Sequence, residues 1–154
     1  MSKEIILKEV NTLEEMLESY PLLCILYPNN FSKNDYQEML QRMIPHNYTQ
    51  LIALHNERVV GVCGVWLGTK IWCGKYLEMD NVVVGRDYRS HGIGKMFTRY
   101  LEDKARRENC NMMAADVYTD NFRAHKFYIN EGFIPRGFHF LKLLNQEIEL
   151  SAKD

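Results

Sequence analysis

The chain has 154 residues, 46% of them hydrophobic and 25% charged, with a formal net charge of -1. That composition suits one folded domain with its own core and excludes a disordered segment. It also excludes a general nucleic-acid binder, which needs a strong basic excess.

Residues 4–10, EIILKEV, alternate in polarity and predict an opening strand. Asn11 or Thr12 is placed to cap a helix over LEEMLESY, whose first-turn acids suit the helix dipole. Pro21 should interrupt that helix, and LLCILY reads equally as a second short helix or an apolar crossing. Ser32 caps a helix over KNDYQEMLQRMI, with Pro45 beyond its end. TQLIALHN and RVVGVCGVWLG read as strands joined by a hairpin near Asn56-Glu57. A turn is expected at 68–70, then one long strand, IWCGKYLEMDNVVV, kinked near Gly74. Over 93–105, Ile93, Met96, Phe97, Tyr100, Leu101 and Ala105 keep the helical period. MMAADVY (112–118) reads as a strand. FRAHKFYINE reads as a helix capped by Asn121 and stopped at Gly132, and RGFHFLKLL as a final strand. The tail NQEIELSAKD extends that strand, exchanges with a partner, or frays.

A strand–helix–strand step requires a parallel pair, so the sheet is expected to be mixed, antiparallel first and parallel later. No stretch of about 18 apolar residues is present, so no membrane-spanning helix is expected. The first ten residues lack the apolar block of a signal peptide, and a cytoplasmic location is expected. Cys24, Cys63, Cys73 and Cys110 form no C-x-x-C and no zinc spacing, so they read as reduced, small apolar residues and no metal is expected.

The chemistry-bearing stretch is DNVVVGRDYRSHGIGK, residues 80–95. A β-branched strand runs into an arginine-bearing turn, then two glycines, then the clearest helix. A P-loop fails here, because the position of its second glycine holds Ser90 and Met96 follows Lys95 where a hydroxyl is needed. A dinucleotide fingerprint fails because its third glycine is Phe97. What remains is R-x-x-G-x-G, at Arg89, Gly92 and Gly94. The free N–H groups and dipole at a helix start still favour a pyrophosphate.

One strand later comes N-x-x-A-x-x-F-Y, from Asn121 through Ala124 to Tyr128. Together these motifs make residues 76–142 resemble the GNAT superfamily of acetyl-CoA-dependent N-acetyltransferases. The resemblance implies a single α/β (α+β) domain over 1–154, with 76–142 as the acetyl-CoA-binding core and 145–154 as a tail. Its mixed sheet would have about six or seven strands, flanked by about four helices and splayed between the two central parallel strands. It implies that Val82, Val83 and Val84 pair through main-chain groups with the pantetheine arm. Arg89, Ser90, His91, Gly92, Ile93, Gly94 and Lys95 would cradle the diphosphate, and Asn121 and Ala124 would contact the cofactor. Tyr128 would face the thioester sulfur and protonate the departing thiolate. Lys104 to Arg107 would either reach the ribose phosphate or form a solvated helix end.

Acyl transfer to an amine also needs a base, since an alkyl amine of pKa about 10.4 is neutral only about once in 2,500 molecules at pH 7. Glu78 and Asp80, two residues apart on one strand face, are the candidates. A backbone N–H near Val83 or Val84 would meet the oxyanion. The acceptor is expected to be a small-molecule amine. The alternatives are a protein N-terminus or lysine, and an inactive acyl-CoA-binding module. Glu14, Glu15, Glu18, Asp35 and Glu38 are charged enough to draw a basic acceptor, and Trp66, Trp72, Tyr27, Tyr48 and His139 are candidate pocket residues. Members of the family are often dimers, and the tail after Leu144 is a candidate interface strand.

Overall fold

The computed structural model describes residues 4–28 and 31–148. β1 (Ile6–Val10) leads into three helices, α1 (Leu13–Leu17), α2 (Tyr20–Leu26) and α3 (Lys33–Met43). β2 (Tyr48–His55), β3 (Arg58–Lys70) and β4 (Gly74–Val84) follow, then α4 (Ile93–Arg107), β5 (Met112–Ala115) and α5 (Phe122–Asn130). The strands lie in the order β1-β2-β3-β4-β5. Neighbours are antiparallel except β4 and β5, which are parallel.

Local chemistry accounts for the element ends. Thr12 caps α1, its hydroxyl accepting the Glu15 N–H at 3.4 Å. Pro21 lies in the first turn of α2, where a missing N–H removes no helical bond, so it starts a second helix instead of merely ending the first. Ser32 and Asp35 cap α3 reciprocally, the Asp35 N–H donating to Ser32 Oγ and the Ser32 N–H to Asp35 Oδ2. Asn56 (φ 50°) and Glu57 (φ 63°) both take the left-handed conformation that a two-residue hairpin needs.

Each face of the sheet carries a core. On one, Leu51, Val65, Leu77 and Met79 pack with Ile93, Phe97 and Leu101 of α4. On the other, Val10, Ile52, Val62 and Val83 pack with Met16, Leu23 and Leu40 of the first three helices.

One irregularity governs β4. Val62 pairs with Val83 and Gly64 with Asp80, so the single residue Cys63 faces both Asn81 and Val82. Asn81 is the bulged residue, at φ 51°. The extra residue inverts strand parity. Leu77 and Met79 face α4 before it, Val82 and Val84 after it, and Val83 joins the opposite core.

Three expectations differ from the structure. β3 runs through 68–70 and the turn falls at 71–73, so β4 begins at Gly74 rather than bending there. β5 has four residues instead of seven. Residues 136–144 form no strand, which leaves five strands among the described residues, with five α-helices. Pro135 lacks a ladder N–H and Gly137 has φ 91°, and both work against regular pairing there. Of the tail, residues 145–148 form a turn and 149–154 lie outside the described residues. No helix among the described residues is long and apolar enough to cross a membrane.

Candidate functional site

The site is built where the sheet parts. β5 pairs with β4 only from Tyr76 to Met79, against Met112 to Ala115. Beyond Met79, β4 keeps β3 on one side and, among the described residues, has no strand on the other. Main-chain groups of residues 80–84 therefore border a gap, and Val83, whose side chain is buried, is available there only through its backbone.

The gap ends at the loop before α4. Ser90 (φ 67°) and Gly92 (φ 77°) are both left-handed. A non-glycine residue held there stores strain, as functional loops often do. The first bond of α4 runs from the Met96 N–H to the Gly92 carbonyl. The N–H groups of Ser90 through Lys95 take no backbone acceptor among the described residues, so six unpaired backbone donors lie in succession at a helix N-terminus. The two glycines have different jobs. Gly92 supplies the left-handed turn, with nothing within 4 Å of where a Cβ would stand. Gly94 lets α5 approach, since a Cβ there would lie 3.3 Å from Phe127 Cζ. The Ile93 side chain is buried in the core, while His91 is exposed and bonds the Arg89 carbonyl through Nδ1 at 3.0 Å.

The two candidate carboxylates are not equivalent. Asp80 is engaged at both oxygens, accepting Trp66 Nε1–H at 3.0 Å and the Asn81 N–H at 2.8 Å. It braces the bulge. Glu78 is half-buried, and burial, then the negative charges of Asp116 and Asp80, push its carboxyl above the usual range. Lys70 and His139 oppose that rise. Asn81 ties the bulge to the helical layer: its Oδ1 accepts from Tyr48 Oη at 3.3 Å and its Nδ2 donates to Tyr27 Oη at 3.0 Å. Gln50 Nε2 donates to both Tyr48 Oη and Tyr36 Oη, extending the chain inward.

On α5, Asn121 Oδ1 accepts the Ala124 N–H at 3.1 Å. The Tyr128 ring sits edge-on between Phe127 and Phe133, at 5.1 and 5.2 Å. Burial raises its phenol above the ordinary value, with Cys63 and Asp80 adding to the shift.

Other expected residues are elsewhere. Tyr48 is 2% exposed and belongs to the core, not to a pocket wall. Trp72 stands out on the β3–β4 turn. Glu15 pairs with Lys8, and Asp35 is spent on its cap. Lys104 pairs with Glu9 and Arg106 with Glu102. Sequence reasoning missed Asn81 and Asp116. An asparagine inside a β-branched run, a poor strand former that tolerates positive φ, was the available signal for the first.

A mixed sheet parted between β4 and β5, with a helix N-terminus at the mouth of the gap, defines the GNAT class of acetyltransferase, and the chain belongs to that family: the acetyltransferase (GNAT) family model matches residues 13–133. It is 28% identical over 138 residues to the uncharacterized N-acetyltransferase YhdJ of Bacillus subtilis, covering 88% of this chain and 96% of that protein. It is 25% identical over 138 residues to the aminoalkylphosphonate N-acetyltransferase of Salmonella typhimurium, covering 86% and 88%. The aminoglycoside 6'-N-acetyltransferase of Acinetobacter baumannii shares its fold with a TM-score of 0.75 at 17% identity, over 92% of this chain and 100% of that one. An aminoglycoside N-acetyltransferase solved with CoA gives 0.77 at 16%, over 92% and 97%.

Proposed function

We propose that this N-acetyltransferase moves the acetyl group of acetyl-CoA onto a primary amine of a small molecule, by direct attack within a ternary complex. The observation that carries the reading is the parting of β4 from β5 immediately upstream of six successive N–H groups that take no backbone acceptor. A long, thin molecule with amides in the middle and a diphosphate at one end fits that sequence of contacts. Val82, Val83 and Val84 offer main-chain groups to the pantetheine amides, a small-molecule form of strand addition. Ser90 through Lys95 and the Arg89 side chain receive the diphosphate. Asn121 and Ala124 border the cofactor from α5.

The amine arrives as an ammonium and must lose a proton before its nitrogen attacks. Glu78 takes that proton through water, and its raised pKa makes it a stronger base than an ordinary glutamate. Asp80, with both oxygens occupied, holds Trp66 and the bulge instead. As the N–C bond forms, the carbonyl oxygen gains charge, which a main-chain N–H near Val83 or Val84 meets. The C–S bond then breaks, Tyr128 gives its proton to the thiolate, and the second proton leaving the nitrogen as the amide forms returns through water to the Tyr128 phenolate. Burial keeps that phenol protonated at neutral pH.

Glu78, Asp80 and Asp116 make the acceptor side acidic, which suits a cationic amine. The aminoalkylphosphonate and aminoglycoside enzymes named above take small amines, and they support the same class here. The four cysteines are free, which fits reaction in the cytoplasm. The test is thermal unfolding with acetyl-CoA, using NADH and ATP as controls, followed by an amine panel scored by thiol release. Ligand at about 100 times its Kd adds about 2.7 kcal/mol. At about 2–4 °C per kcal/mol, Tm should rise by about 5–10 °C with acetyl-CoA alone. An unchanged Tm in folded protein refutes the cofactor assignment. Turnover of peptides but of no small amine refutes the acceptor class.

A further inference from the structure

We propose that the acceptor is a small molecule of both charges, an amine presented to Glu78 and an anionic group held by Lys70, joined by a short apolar chain. This narrows the acceptor of the acetyl transfer proposed above and rests on it. Part of the sheet lies outside both cores. Val65, Leu67, Leu77 and Met79 pack on the α4 side. Side chains alternate along a strand, so Trp66, Gly68 and Lys70 of β3 and Tyr76, Glu78 and Asp80 of β4 face the other way. Helices α1–α3 cover that face only as far as Trp66. Tyr76 and its register partner Met112 belong to neither core. The result is an open floor that runs from Glu78 toward the β3–β4 turn.

Charges of opposite sign stand at its two ends. Glu78, with Asp80 and Asp116 near it, makes one end negative. Lys70 stands at the other, in register with Gly74. Its Nζ lies 5.0 Å from the centre of the Tyr76 ring. That ring in turn lies across β3 at Gly68, where a Cβ would be 2.6 Å from Tyr76 Oη and 2.8 Å from Cζ. An aromatic face holds a cation without consuming its N–H groups. Among the described residues no carboxylate lies within 4.0 Å of Lys70 Nζ. Lys75, on the opposite face of the same hairpin, is paired with Glu108 at 3.0 Å. The lysine on the open floor is thus the one left to meet a ligand.

Tyr76 is two residues from Glu78, and that interval is about 7 Å along a strand. A short alkyl chain laid on the Tyr76 ring spans it and takes its methylenes out of water. Its nitrogen then reaches the base, and its far end reaches Lys70. A carboxylate there forms a charge-assisted hydrogen bond with Nζ. A second ammonium there would stand beside a like charge, so the floor rejects diamines as well as selecting amino acids. Lys70 also draws the Glu78 carboxyl down, against the rise caused by burial and by Asp116 and Asp80. An anion that offsets the lysine's charge releases that pull, so Glu78 becomes a stronger base when the fitting acceptor is bound.

The test is thiol release at saturating acetyl-CoA, with a series of ω-amino carboxylates and the diamines of matching length. In wild type the best amino carboxylate should exceed its matching diamine in kcat/KM by about tenfold or more. Lys70→Met should raise KM for that amino carboxylate by about tenfold, the worth of one charge-assisted bond, with a much smaller change in kcat. Lys70→Glu should reverse the preference and favour the diamine. Lys70 is exposed, so both variants should keep the wild-type far-UV spectrum. The wild-type comparison decides the matter even if a variant fails to fold. Diamines used as well as amino carboxylates overturn this inference and leave acetyl transfer standing. So does a folded Lys70→Glu protein with an unmoved preference, or an acetyl-CoA-dependent rise in Tm with no turnover of any amino carboxylate. Acetyl-CoA that neither raises Tm nor releases thiol with any amine overturns acetyl transfer and this inference together.

Discussion

Asn81→Ala should cost more than a surface asparagine ever does. Asn81 sits at φ 51°, a conformation that penalises alanine by about 1–2 kcal/mol and asparagine by less. Its amide also accepts from the buried Tyr48 hydroxyl and donates to Tyr27. Leaving a buried donor without an acceptor costs about 1–3 kcal/mol. The two effects together come to about 2–5 kcal/mol, or a Tm lower by about 5–15 °C. Asn81→Gly separates them, because glycine removes the backbone penalty and keeps the lost hydrogen bonds. Glycine should therefore be the milder change by about 1–2 kcal/mol. Acetyl-CoA affinity, read by isothermal titration, should follow the same order, because the bulge decides how residues 82–84 meet the gap. An alanine variant as stable as the glycine variant, or more so, refutes the argument from backbone conformation.

Glu78→Gln should abolish the acidic limb of the pH–rate profile, and that limb in wild type should lie above the ordinary glutamate value of 4.5. The same substitution should raise Tm at neutral pH, because a carboxyl whose pKa is raised on folding favours the folded state only while protonated. The advantage of glutamine should vanish below about pH 4, where glutamate is neutral in both states. Tyr128→Phe should lower kcat by about 10²–10⁴-fold while acetyl-CoA affinity measured by calorimetry is unchanged. Equal turnover would remove the phenol from the mechanism. Gly92→Ala meets no atom within 4 Å but forces φ 77° on a residue with a Cβ, so about 1–2 kcal/mol of stability should be lost in denaturant titration. An unchanged midpoint would show that the loop relaxes freely.

Much of this was legible because it is local. Caps at Thr12, Ser32 and Asn121 act within four residues, and the α4 stripe repeats within one helix. The R-x-x-G-x-G loop and the N-x-x-A-x-x-F-Y helix are likewise contiguous, which is why the family could be read from them. What escaped was non-local. The bulge at Asn81 is defined by its pairing with Cys63, and no period-2 reading of β4 alone could place it. Leu77 and Val83 look like one face on paper and belong to opposite cores. Glu78 and Asp80 looked interchangeable, and the approach of Trp66 from the next strand, with the Asn81 N–H turned in by the bulge, separates them. The final strand over 136–144 was predicted from β-forming side chains, but a strand is a pairing, and the described chain supplies no partner for it.

The contact between Gly94 and Phe127 joins two ends of the site that are remote in function. Gly94 belongs to the start of α4, proposed above to hold the diphosphate, and Phe127 directly precedes the phenol of Tyr128. Close-packed atoms cannot interpenetrate, so α4 cannot move toward α5 without pushing it. The distance from the proposed phosphate cradle to the proposed proton donor is thereby gauged by one glycine-to-ring joint, before any ligand arrives. A methyl group added at that joint would act as a shim, lengthening the ruler against which the cofactor is measured.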